Sequence, residues 1–194
     1  MKKALAFCPA GISSFFEICD RAKDGKLIKN LERVGARGGG FAIDKGVSTE
    51  VNAVNSEERR TRVFINGSPA PEAETTKTVV DALRHKVEGE YDVTVKHNVE
   101  IPIGTGFGSS AGGALGTAFA LSKILNVNLT CNQLGQLAHV AEVKCLTGLG
   151  TVGPLMLGGC CVSVEPGAPG YASIDRIPIS SDHRIIAVAY RPSP

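Results

Sequence analysis

The densest chemical signal in the chain is the string PIGTGFGSSAGGALG, Pro102 to Gly116. Gly104, Gly106 and Gly108 alternate with other residues, then give way to Ser109, Ser110 and a run rich in small apolar residues. Glycines at that spacing let the backbone take positive φ and come close to an anion. A loop that opens a helix also aims free N–H groups and the positive end of the helix dipole at that anion. The two serine hydroxyls can cap the helix, touch a phosphate, or ligate Mg²⁺. No lysine follows the glycines, which excludes a Walker A loop. Ser109 stands where a dinucleotide fingerprint needs its third glycine. The plain alternative is a glycine-rich turn entering a closely packed helix, and Gly112-xxx-Gly116 favours close packing by itself.

A second candidate lies on a later helix. His139 and Glu142 are three residues apart and share a side. Leu134, Leu137, Ala138, Ala141 and Cys145 form the apolar face; Glu142 falls at its margin and His139 further toward the polar side. A carboxylate at such a margin either looks into a cleft or sits in solvent.

The elements that must position these residues can be read in order. Lys3 to Pro9 reads as a strand ending at Pro9-Ala10-Gly11. Gly38-Gly39-Gly40 precedes Phe41 to Val54, two strands or one bulged strand. Thr61 to Ile65 is a strand stopped by Asn66-Gly67, Pro71 to Val87 a helix with its acidic residues early, and Tyr91 to Val95 a strand. The glycine loop then leads into a helix over Ser110 to Leu125. Thr130 caps a second helix reaching Cys145. Leu157 to Val164 and Arg184 to Tyr190 read as further strands. The turn-rich stretch from Pro166 to Gly170 predicts a boundary, with one domain over 1–165 and the incomplete opening of a second, substrate-side domain over 171–194.

Composition narrows the function classes. The 194 residues are 43% hydrophobic and 21% charged, with a net charge of +2 and no Trp. That balance gives no footprint for nucleic acid or a membrane surface, and Arg59, Arg60 and Arg62 are offset by Glu57 and Glu58. The six cysteines contain no CxxC and read as reduced, buried, small hydrophobes of a cytoplasmic protein. The opening MKKALAFC has too short an apolar stretch for a secretory signal, which needs about 7–15 such residues. The expected partner is a small-molecule substrate, with a homodimer left open.

Beyond these readings, Pro102, Gly106, Phe107, Gly108, Ser109, Ser110 and Ala111 match throughout the second motif of the GHMP kinases, the galactokinase, homoserine, mevalonate and phosphomevalonate kinase group. The resemblance implies an α+β fold with a mixed or antiparallel sheet and helices on one face. It also implies ATP held by Pro102, Gly104, Thr105, Gly106, Phe107, Gly108, Ser109, Ser110 and Ala111, and Mg²⁺ held by Ser110 and Glu142. CPAGISSFFEI (Cys8 to Ile18), VGARGGGFAIDKGVSTEV (Val34 to Val51) and AHVAEVKCLTGLGTV (Ala138 to Val152) resemble archaeal pantoate kinases in particular. That likeness implies transfer of the ATP γ-phosphate to the 4-hydroxyl of pantoate. It makes Thr151 the residue at the position of the family's catalytic Asp, and Ser13, Arg37 and His139 the substrate-side candidates. The chain departs from the family pattern at Thr151, at Ser163 in place of an Arg, and at Gly11 in place of a His.

Overall fold

The computed structural model describes residues 2–180 and 182–188. Its centre is β2 (Gly35–Asn55), 21 residues long, against which β1 (Lys2–Cys19) pairs antiparallel along its whole length. The other edge of β2 is shared. Val47–Asn55 pairs with β5 (Tyr91–Val99), and Gly38–Phe41 pairs with β6 (Cys160–Glu165). Beyond β5 lies β3 (Thr61–Ile65), parallel to it, and then the short β4 (Ser68–Pro69); beyond β6 lies β7 (Ser173–Ile177). The result is one mixed seven-stranded sheet.

Side-chain alternation explains which face is covered. Val47, Thr49, Val51 and Ala53 are buried on β2, while Glu50 between them points the other way and pairs with Lys3 at 2.6 Å. The covering element is α2 (Ser109–Leu125), apolar nearly all round and therefore buried. It rests on β1 and β2, with α1 (Glu74–Arg84) and α3 (Cys131–Cys145) packed against it. Glycines set its depth. A Cβ on Gly112 would lie 3.0 Å from Val47 Cγ2, and one on Gly116 would overlap the Thr49 hydroxyl. The small-xxx-small spacing is thus used for packing, alongside whatever the loop before it does.

Several sequence expectations need correcting. β1 does not stop at Pro9-Ala10-Gly11: its pairing shifts register between Pro9 and Ala10, where Asp44 and Lys45 bulge from β2, and continues to Cys19. Gly38–Gly40 lie inside β2, where added Cβ atoms on Gly38 and Gly40 would overlap the β1 backbone. Leu157 ends a short helix, α4 (Val152–Leu157), so β6 begins only at Cys160. A further strand, β7, pairs with β6 in the same sheet across the Pro166–Gly170 turn, where the sequence predicts a domain boundary. Arg184–Val188 pair with no strand among the described residues, and Ala189 and Tyr190 lie outside them. All six cysteines are free, but only Cys8 and Cys161 are buried; Cys19, Cys145 and Cys160 are half-buried, and Cys131 is exposed where it opens α3 just beyond its cap. No helix among the described residues is long and apolar enough to cross a membrane.

Candidate active site

The loop between β5 and α2 has the left-handed backbone its glycines promised: φ is 76° at Gly104, 85° at Gly106 and 71° at Gly108. Added Cβ atoms on Gly104 and Gly106 would meet nothing within 4 Å, so that side of the loop is open. Gly108 is the N-cap of α2, and no side chain caps the helix there. The first turn also carries no acidic residue. An uncapped, uncompensated N-terminus on a 17-residue helix is suited to an anion. Gly11, just past the register shift between β1 and β2, lies against this loop, and its N–H donates to the Phe107 carbonyl at 3.1 Å. Thr151 closes the other side, its Cγ2 2.9 Å from where a Gly108 Cβ would stand.

Beside the loop is a cavity of about 890 Å³. Its walls are the second half of β1, the first half of β2, the segment from Leu146 to Thr151, and Thr105 and Gly106 of the loop itself. Much of the lining is apolar, including Phe15, Phe16, Leu31 and Leu155. Ser13, Arg37 and Thr151 all line it, so three residues singled out in the sequence meet in one place. Ser13, two residues beyond Gly11, is nearer the loop. Arg37 lies five residues along β2 from Ala42, the partner of Gly11, or about 16 Å of strand. It pairs loosely with Glu17 at 3.6 Å and Glu165 at 3.9 Å, both exposed.

His139 does not join them. It is 1% exposed, and its Nε2–H donates to the Val34 carbonyl at 2.8 Å. Burial holds its pKa below the ordinary histidine value. It fastens α3 to the segment before β2, because the helix face judged polar from its sequence packs against residues 31–34.

Glu142 is also deeper than its helix margin indicated, at 2% exposed. Burial pushes its pKa above the usual carboxylate range, offset by hydrogen bonds from Thr147 and Ser110. The Thr147 hydroxyl donates to Oε1 at 2.6 Å. Among the described residues, no Lys or Arg forms an ion pair with Glu142. A buried carboxylate with two hydroxyl donors and no side-chain cation, joined to Ser110 in the first turn of α2, is a donor set that fits Mg²⁺. That ion takes few protein ligands and draws the rest from phosphates and water. Thr147 and Gly148, which touch Glu142, line the cavity; Glu142 itself does not. Sequence reading passed over Thr147 as a contact of Glu142. The available signal was a hydroxyl residue just past the end of the helix that bears the carboxylate.

Comparison with known proteins matches residues 74–159 to the model of the GHMP kinases N terminal domain. Pantoate kinase from Thermococcus kodakarensis is 37% identical over 94% of this chain and 58% of its own length. Its counterpart from Methanocaldococcus jannaschii is 29% identical over 93% of this chain and 60% of its own length. The chain therefore spans about three fifths of the length of these curated relatives. A solved phosphotransferase related to the CoA biosynthesis pathway superposes with a TM-score of 0.82 at 36% identity, covering 92% of this chain and 58% of that one. A homoserine kinase from Cytophaga hutchinsonii, at 18% identity and a TM-score of 0.65, shares the fold.

Proposed function

We propose that the chain carries the ATP-binding domain of a GHMP-type kinase, as its match over residues 74–159 supports, and that it holds ATP at the glycine loop while the γ-phosphoryl group passes to a hydroxyl of a small hydroxy acid, with the 4-hydroxyl of pantoate the first candidate. The observation that carries this reading is the meeting of the open glycine loop, the uncapped start of α2 and the buried Glu142–Ser110 pair beside one cavity.

Each part has a task in the reaction. A bond forms from the acceptor oxygen to the γ-phosphorus, and the bond from that phosphorus to the β,γ-bridging oxygen breaks, releasing ADP. The hydroxyl proton passes to water or to the transferred phosphoryl group. The transition state is loose, so catalysis is mainly positioning and charge neutralisation. Residues 104–111 supply amides to the phosphates, and Gly108 lets the backbone come within reach of them. Ser110 and Glu142 hold Mg²⁺, which when bound neutralises phosphate charge. Thr151, beside Gly108, orients the acceptor hydroxyl but has no pKa suited to removing its proton. The apolar walls suit a branched carbon skeleton. Ser13 takes the near polar groups of the acid, and Arg37 can exchange its two loose partners for a carboxylate.

The pantoate kinase relatives and the CoA-related phosphotransferase support the acid substrate, as does a cavity that combines apolar walls with Ser13 and Arg37. Because β7 pairs with β6 in the same sheet, the lead toward a second, substrate-side domain belongs to this proposal only beyond Ile177, not at residues 166–170. Release of ADP, followed by a coupled assay with MgATP, should accelerate when pantoate is added. Release that is indifferent to pantoate but responds to another hydroxylated metabolite would move the substrate while keeping the kinase.

A further inference from the structure

Glu142 is one of the most deeply buried side chains in the protein, yet what fixes its carboxylate is a turn outside its own helix. α3 is capped by Leu146, which is 91% exposed and adopts a left-handed backbone, φ 57°, without being glycine. Residues with a Cβ enter that region reluctantly, and here the reversal folds the next residue back over the helix end. The Thr147 N–H donates to the Glu142 carbonyl at 3.0 Å, and its hydroxyl reaches Glu142 Oε1 at 2.6 Å. Thr147 Oγ1 also lies 3.1 Å from Thr75 Oγ1 on α1, a buried residue.

The proton count gives this chain a direction. An ionised carboxylate only accepts, and a threonine hydroxyl has one proton. Thr147 spends its proton on Glu142, so Thr75 must donate to Thr147. Hydroxyls aligned in series polarise one another and strengthen the last bond. Gly148 completes the arrangement. Its φ is not in the left-handed region, so an alanine would suit the backbone, but an added Cβ would overlap Glu142 Oε2. The glycine is there for space on the second carboxylate oxygen.

We propose that Thr147, backed by Thr75, is a positioning residue that locks Glu142 Oε1 so that the carboxylate is preset for its cation. This rests on the reading of Glu142 as a Mg²⁺ ligand. Groups that orient a metal ligand from behind are commonly worth about 10–100-fold in metal affinity. The test is the Mg²⁺ concentration giving half of the ATP-dependent thermal shift, measured on the full chain. Thr147→Val should raise it about tenfold or more, while the thermal midpoint without ligand stays close to wild type. Thr147→Ser, which keeps the hydroxyl, should return it to within about twofold of wild type. Thr75→Val should raise it by a smaller factor.

An unchanged Mg²⁺ requirement in Thr147→Val would overturn the proposal. So would failure of Thr147→Ser to rescue, which would assign the role to the methyl group. If Thr147→Val does not fold, Thr147→Ser and Thr75→Val decide alone: a normal Mg²⁺ requirement in Thr75→Val contradicts the relay. Glu142→Gln separates the two levels. If it too leaves the Mg²⁺ requirement untouched, the metal assignment itself is wrong. If it alone changes the requirement, only the positioning claim falls.

Discussion

Two ionisable side chains are buried beneath the same helical layer, and they are satisfied in opposite ways. His97 on β5 is 5% exposed, with Thr49 Oγ1 at 2.9 Å from Nδ1 and Thr76 Oγ1 at 3.0 Å from Nε2. Both ring nitrogens have partners, and burial depresses the pKa to about 4, so the ring is neutral at physiological pH. Gly113 of α2 packs directly on it. Glu142 is buried as deeply but has only hydroxyl donors, no cation among the described ion pairs, and a cavity beside the residues that hold it. A closed polar group of the first kind specifies packing. An open one of the second kind keeps an unmet demand for positive charge in the fold, and such a demand is a sign of function.

Exchanging the charge at each site should break this contrast in opposite directions. Glu142→Gln is expected to lower phosphoryl transfer about 10²-fold or more, the scale of losing a preorganised electrostatic contact, without lowering the thermal midpoint. A midpoint that falls sharply would place Glu142 with His97 as a packing group. Gly108→Val should abolish nucleotide-dependent stabilisation. It should also cost about 1–3 kcal/mol in chemical denaturation, since a β-branched residue at φ 71° is strained. Full ATP-dependent stabilisation in that variant would remove the loop from the site.

Thr151 sharpens the comparison, being polar and beside the loop yet unable to act as a base. Its carboxylate replacement is close in size, so Thr151→Asp should raise kcat about tenfold or more, toward the range of general-base catalysis, with KM little changed. Stopped-flow or coupled kinetics reporting equal rates would show that proton removal does not limit transfer.

The contrast also has a pH signature at His97. Its folded pKa of about 4 lies below the ordinary 6.5, so between those values the unfolded chain binds a proton that the folded chain refuses. Stability should therefore be intact above about pH 6.5 and decline as pH falls toward 4. The loss is roughly 3 kcal/mol if the whole shift is expressed. Urea titrations of wild type and His97→Gln across that range should diverge only in this slope. Parallel slopes would mean that the histidine is protonated in the folded state.

What could be read from the sequence follows the reach of each signal. The glycine loop, the Thr130 cap and the Asn66-Gly67 turn depend on neighbours within a few residues, and the structure has all three. β1 was cut short because Pro9, Ala10 and Gly11 read as a turn when only local chemistry is considered. They pair instead with Gly46, Ile43 and Ala42 of β2, more than 30 residues away, on either side of the register shift. His139 was misjudged for the same reason: the polar side of its helix is covered by residues 31–34, which periodicity within α3 does not reveal. Glu142 was found by position, but its burial and its tie to Thr75 through Thr147 exist only once α1 and α3 are packed together.

The central claim is that the buried carboxylate of Glu142 serves a cation at the phosphates. The most direct measurement is the thermal shift by ATP with Mg²⁺ and by ATP with EDTA, in wild type and in Glu142→Gln. The account predicts a Mg²⁺-dependent increment in wild type that disappears in Glu142→Gln, while the metal-free ATP shift survives in both. A full Mg²⁺-dependent increment in Glu142→Gln would contradict it.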